Sequence, residues 1–282
     1  MHYFTKIVCK DMDLLSVLLL VGLGFFIGTF GTLIGAGGGF ILMPLLLLMY
    51  PDMPPDVLTS ISLSVVFLNA TSGSIAYARK KRIDYRSALI FAVATLPGAI
   101  AGAMITTVMS RHVFNIILGV LLIAVSVFLM LKPQQGAYAG KVNRGKCVDR
   151  HLVERTGEEH RFSFNIWTGI LISFLVGFVS SLLGIGGGII HVPALISLLN
   201  FPIHVATATS HLILAVMALA GTVVHMIQGS FWEGWQTAVS IGTGVVIGAQ
   251  LGAGLSSRVK PKGIILALAG ALLIVGVRLI FA

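Results

Sequence analysis

Residues 27–44 read IGTFGTLIGAGGGFILMP, and residues 176–193 read VGFVSSLLGIGGGIIHVP. At a constant offset of 149, Gly28, Leu33, Gly35, Gly37, Gly38, Gly39, Ile41 and Pro44 match Gly177, Leu182, Gly184, Gly186, Gly187, Gly188, Ile190 and Pro193. The correspondence continues outward: DVLTSIS at 56–62 sits against HVATATS at 204–210, and Gly73 against Gly221, at an offset of 148. Self-similarity at a fixed period is the mark of a duplicated architecture. The chain therefore divides into a first repeat at 1–131, a linker at 132–163 and a second repeat at 164–282. Each motif breaks a helix, and in lipid such backbone is tolerated only where it is packed in protein or lines a wet cavity.

The solvent around these motifs follows from composition. Of 282 residues, 56% are hydrophobic and 10% charged, with a mean hydropathy of +0.98. Soluble domains carry about 25% charge, so a soluble globular enzyme is excluded. Ten apolar stretches run at 14–34, 37–50, 57–78, 87–109, 112–131, 164–185, 187–199, 205–227, 236–256 and 263–281. Most have the roughly 20 residues that a helix needs to cross about 30 Å of hydrocarbon. The fold class is an all-α integral membrane protein of eight to ten transmembrane helices. The short stretches 37–50 and 187–199 read either as spans or as re-entrant segments. The run after Lys6 and Lys10 has no clean small-x-small cleavage site and leads directly into a glycine motif, so it reads as a span, not a signal peptide.

The net charge of +9 is a topology signal. Fifteen of the 19 basic residues lie in the loop from Arg79 to Arg86, in the linker, and between Arg258 and Lys262. Basic loops face the cytoplasm, which places these three segments inside, the acidic loop Pro51–Asp56 and Gln228–Glu233 outside, and both termini outside. Five crossings per half then make the second half inverted relative to the first, an architecture of secondary transporters whose substrate lies at the repeat interface. The clustering removes nucleic acid as a partner, and Cys9 and Cys147 make no disulfide framework. The linker, with mixed charge and scattered glycines, reads as a solvated connector. Trp167, Trp232 and Trp235 flank spans, where either interfacial anchoring or ordinary packing fits.

A helix N-terminus begins at each glycine run, with free N–H groups that attract anions. Three adjacent glycines exceed what close packing asks for, so Gly35, Gly37, Gly38 and Gly39 in one half, and Gly184, Gly186, Gly187 and Gly188 in the other, are candidate substrate-binding residues. Gly98, Gly102, Gly248 and Gly252, spaced four apart, read as helix-packing glycines. Thr59 and Ser62 correspond to Thr207 and Ser210, which supplies hydroxyl donors in both halves. His211 joins the binding candidates, and His191 with His211 are the proton-coupling candidates because intramembrane ionisable groups are functional by default. His225 reads equally well as packing. No carboxylate or thiol lies at depth, so neither a metal nor a cofactor is expected, and the motifs lack the sequence of a dinucleotide or phosphate loop. Ser210 and His211 are neighbours and point to different helix faces, which argues against a hydrolase dyad, so no catalytic residue is assigned.

At these residues the sequence resembles the TauE/SafE family of sulfite exporters. GAGGGFILMP and GIGGGIIHVP fit its twice-repeated glycine-proline pattern, ATATSH its Ala-x-x-Thr-Ser segment, and RKKRIDYRSA its basic loop after the third stretch. The resemblance implies a multi-pass permease of the inner or plasma membrane that moves small anions, sulfite and organosulfonates among them. His191 and His211 depart from the apolar residues expected there. The expected function is a secondary transporter of a small anion, not an enzyme. The alternatives are another small anion or sulfur compound as cargo, or a structural subunit without transport. The expected partners are the anion and the lipid bilayer, with a homodimer left open.

Overall fold

A computed structural model describes residues 13–131, 147–256 and 262–281. The helices are α1 (Leu14–Ile34), α2 (Gly39–Met49), α3 (Pro55–Arg79), α4 (Tyr85–Thr106), α5 (Arg111–Leu131), α6 (Ile166–Leu183), α7 (Gly188–Leu199), α8 (Ile203–Gln228), α9 (Ser230–Leu255) and α10 (Lys262–Ile280). Strands β1 (Cys147–Val153) and β2 (Glu159–Asn165) lie between α5 and α6. The protein is an all-α integral membrane protein with one small hairpin, and each of the ten apolar stretches is a helix. Among the described residues seven helices, α1, α3, α4, α5, α6, α8 and α9, are long and apolar enough to cross a membrane.

The two short helices are different in kind. With 11 residues in α2 and 12 in α7, they extend only about 17 Å at 1.5 Å per residue. Each starts deep inside the molecule, where Gly37 and Gly186 abut Val66 and Leu214 near the middles of α3 and α8. Each is thus half the length of a span, joined through a glycine turn to the long helix before it.

Long helices pair across the halves. α1 lies on α9, and α6 on α4; α3 also packs on α9 and α8 on α4, while α3 meets α8 and α5 meets α10. Glycines permit the closest of these approaches. A Cβ at Gly28 would come within 2.5 Å of the Val245 carbonyl oxygen, and one at Gly248 or Gly252 would meet the backbone of α1 at Phe25 or Thr29. Gly98 and Gly102 face the backbone of α6 at Phe174 and Phe178 in the same way. The four glycines read as packing residues are packing residues.

Polar contacts mark the two ends of the bundle. At one end Arg111 donates to the carbonyls of Met53 and Leu47 (2.5 and 3.3 Å), and Ser230 donates to Asp56 (2.5 Å). At the other, Lys80 donates to Ala253 O (2.5 Å), the Asp84 N–H donates to Thr209 (3.1 Å), and Asp84 caps α4 by accepting from the Ser87 N–H. The basic loop and the C-terminal end of α9 therefore share one end.

The described part of the linker corrects the expectation of a solvated connector. β1 and β2 pair antiparallel, and Phe162 and Phe164, two residues apart and so on one face, are buried against Phe201 (4.5 and 5.0 Å between ring centroids). Glu154, at the turn, is 3% exposed and bonds Arg82 at 2.6 Å and His160 at 3.0 Å; Arg150 pairs with Asp84 at 3.3 Å. The aromatic face seats the hairpin on Phe201, between α7 and α8, and the Arg82–Glu154 and Arg150–Asp84 pairs fasten it to the basic loop. Residues 132–146 lie outside the described residues. A second correction concerns 228–233: only Gly229 separates α8 from α9, and Trp232 and Trp235 project exposed from the first turns of α9, as Trp167 does from α6.

Candidate functional site

The two glycine motifs meet at the centre of the bundle. α1 ends at Gly35, whose backbone is left-handed at φ +86°, and the chain turns through Gly37 and Gly38 (φ +75° and +80°) into α2. α6 ends at Gly184 (φ +66°) and turns through Gly186 (φ +63°), but Gly187 has an ordinary helical φ of −56°. The turns interlock. A Cβ on Gly39 would lie 2.6 Å from the Ile185 carbonyl, and one on Gly188 2.5 Å from Gly35 O. Gly35 abuts Thr207 while Gly184 abuts Thr59. Conformation and contact thus account for every glycine in both motifs, so glycine number by itself no longer argues for a ligand.

What is left over is polar. The N–H groups of Gly38, Gly39 and Phe40, and those of Gly187, Gly188 and Ile189, make no backbone hydrogen bond among the described residues, as expected of a helix start. Thr59 Oγ1 and Ser210 Oγ are buried with no partner, as are Ser180 Oγ and Ser181 Oγ. Ser62 is engaged, donating to the Gly184 carbonyl. Thr207 accepts at its carbonyl from His211 Nδ1 (3.2 Å). An unpartnered buried donor costs about 1–3 kcal/mol, so this concentration of free hydroxyls and amides in an apolar interior is chemically significant. No Asp or Glu lies within the apolar stretches to oppose an anion.

The two proton-coupling candidates separate. His191 sits on α7 with Ser173 Oγ at 3.2 Å and the Phe91 ring beside it, both outside the glycine crossing. His211 lies on α8 against Gly73 and edge-on to Tyr77 at 5.4 Å, with Nε2 unpartnered. His225 is fully buried and neither ring nitrogen has a partner.

Thr32, Asn69 and Tyr77 form a buried hydrogen-bonded set beside Gly38 and His211 and were not among the binding candidates. Thr32 Oγ1 donates to Asn69 Oδ1 (2.8 Å), Tyr77 donates to the Thr32 carbonyl (2.8 Å), and Asn69 Nδ2 is buried, free, and 3.5 Å from where a Cβ on Gly38 would sit. A signal existed: Asn69, Gly73 and Tyr77 recur every fourth residue and so share one face of α3. Outside the membrane core, Glu154, Glu158 and His160 place ligand atoms within 4.8 Å of one another on the hairpin. Arg82 and His160 already bond both oxygens of Glu154, so the cluster is explained as an ion-pair network.

Comparison with known proteins agrees with this architecture. Residues 20–279 match the family described as sulfite exporter TauE/SafE. The probable membrane transporter protein YunE of Bacillus subtilis (strain 168) is 35% identical across 95% of this chain and 98% of its own length. The probable membrane transporter protein MJ0441 of Methanocaldococcus jannaschii is 24% identical across 93% and 95%, and YjnA of Bacillus subtilis is 24% identical across 93% and 98%. No solved structure matches the chain. Matched over nearly all of its length and lined up with membrane transporters end to end, this chain belongs to the sulfite exporter TauE/SafE family and is a membrane transporter, not an enzyme.

Proposed function

We propose that the protein is a secondary transporter of a small anion, sulfite or an organosulfonate, bound where the glycine turns before α2 and α7 meet. The observation that carries this reading is the combination of two interlocked helix starts, the unpartnered hydroxyl of Thr59 on the residue against Gly184, that of Ser210 one turn along α8 from Thr207, and apolar stretches free of carboxylates. Oriented N–H and O–H donors in a medium of low dielectric replace the water that an anion loses on entering. A carboxylate in the same place would repel it.

Reciprocal packing of the halves supports residues 1–131 and 164–282 as inverted repeats. α1 on α9 mirrors α6 on α4, and Gly35 on Thr207 mirrors Gly184 on Thr59. In that arrangement one half rocks against the other about a fixed site and opens it to each side in turn. The end that carries the basic loop and the hairpin is cytoplasmic in a plasma or inner membrane, and both termini are outside. Labelled sulfite and taurine flux into vesicles holding the purified protein tests the reading. Flux above empty vesicles for at least one of them supports it; equal leakage for both defeats it.

A further inference from the structure

The two crossings follow the same chain path and are unequal in chemistry. Gly73 abuts His211 and the Thr32 methyl; at the matching place in the other half, Gly221 abuts Leu63 and Ser181. Asn69 corresponds to Met217 and Tyr77 to His225 at the same offset of 148. Position for position, the first crossing holds an amide, an imidazole and a phenol where the second holds a thioether, an isobutyl group and an imidazole, and where Asn69 Nδ2 adjoins Gly38 a hydroxyl, Ser180 Oγ, adjoins Gly187. Asn69 is fully buried, its Oδ1 accepts from Thr32, and its Nδ2 is free beside the left-handed Gly38 that starts α2. His211 is fully buried too, its ring edge lies against Gly73 one turn along α3 from Asn69, and its Nε2 is free.

The state of His211 follows from its partner. A carbonyl oxygen only accepts, so Nδ1 at 3.2 Å from Thr207 O carries the proton. In the neutral ring Nε2 then carries a lone pair and accepts. Tyr77 lies edge-on to the ring, and its own proton is given to the Thr32 carbonyl. A ligand that touches both free nitrogens must accept from Asn69 and donate to His211.

We infer that the protein has one anion site, not two: it lies at the N-terminus of α2, is framed by Asn69 and His211, and selects a small oxyanion that carries its own O–H or N–H, with hydrogen sulfite the simplest. This rests on the anion-transport reading and narrows it. The free amides of Gly38, Gly39 and Phe40 and Asn69 Nδ2 hold the oxyanion oxygens, while His211 Nε2 accepts the ligand's proton-bearing group. Methanesulfonate, an oxyanion with neither O–H nor N–H, presents only lone pairs to Nε2 and is rejected.

Binding of sulfite and of methanesulfonate to the purified full chain, paired with vesicle flux, tests the inference. Wild-type protein is expected to bind methanesulfonate at least roughly tenfold more weakly than sulfite. Asn69→Leu and Asn69→Asp, the second of which keeps the acceptor for Thr32, each weaken sulfite by about tenfold or more. Met217→Leu and Ser181→Ala in the second half stay within about twofold of wild type. His211→Gln, whose amide can donate to an oxyanion as well as accept from it, relieves the demand for a ligand proton and narrows the gap between the two anions. Wild-type sulfite affinity in both Asn69 variants, equal damage from Met217→Leu or Ser181→Ala, or equal wild-type affinity for the two anions overturns the inference and leaves anion transport standing. Absence of any flux in wild-type vesicles removes the transport reading, and the inference falls with it.

Discussion

The first and second halves follow the same chain path and use it differently. Both have a long helix, a glycine turn, a short helix and a long helix after it, and both turns are buried against Val66 and Leu214. Yet only the first turn is left-handed at the residue that starts its short helix, and only the first is flanked by Asn69. The halves also differ in one connection: residues 80–84 between α3 and α4 receive the hairpin, whereas the matching connection between α8 and α9, at the opposite end of the bundle, is the single residue Gly229. Duplication explains the shared part. Departures from symmetry locate what one half does that the other does not.

The largest expected effect is symmetric. Gly39→Val and Gly188→Val drive a side chain into backbone of the opposing turn at 2.6 and 2.5 Å, and each is expected to cost about 4 kcal/mol or more and to abolish recovery of monodisperse protein in detergent. If one of the pair is recovered with wild-type thermal stability, the turns do not interlock equally. Next in size is Arg82→Ala, which has no second-half counterpart. It strands the buried Glu154 at a cost of about 3 kcal/mol, and protease should then cut the hairpin faster than in wild type. Unchanged proteolysis and unchanged melting would separate the hairpin from the first half.

Smaller effects sharpen the contrast. Gly38→Ala must hold an L residue at φ +80°, and Gly187→Ala one at −56°. Both also meet side chains, Ile27 at 2.8 Å and Val176 at 2.5 Å, so the left-handed penalty of about 1–2 kcal/mol is the expected excess of Gly38→Ala over Gly187→Ala in thermal unfolding. Smallest is a serine pair. Ser62 donates to Gly184 O, but its counterpart Ser210 has no partner. Ser62→Ala is expected to cost about 1 kcal/mol and Ser210→Ala close to none; equal losses would contradict the bonding.

Much of this molecule is legible in its sequence because lipid leaves so few options. The ten stretches are helices since nothing else satisfies the backbone there, and the repeated GGG and Pro mark the crossing in the sequence itself. The hairpin was not legible as such, because seven-residue strands in a charged linker carry a weak periodic signal, although Phe162 and Phe164 alternate. At the site, sequence reading named the glycines, Thr59, Ser62, Thr207, Ser210 and His211; Thr59 and Ser62 lie against Gly184 and Thr207 against Gly35, while His211 lies against Gly73 on α3. It also grouped His191 with His211, which have different partners. Asn69 shares a face of α3 with Gly73 and Tyr77, a spacing visible in the sequence, but its pairing with Thr32 is a contact between α1 and α3 that local spacing does not encode.

The most direct test is the position of a bound oxyanion. Selenite soaked into crystals of the full chain marks its own site through the anomalous scattering of selenium. The account predicts one peak, within hydrogen-bond distance of Asn69 Nδ2 and beside Gly38 and Gly39. A peak at Gly187 and Gly188 alone, equal peaks at both turns, or a peak away from both would contradict it.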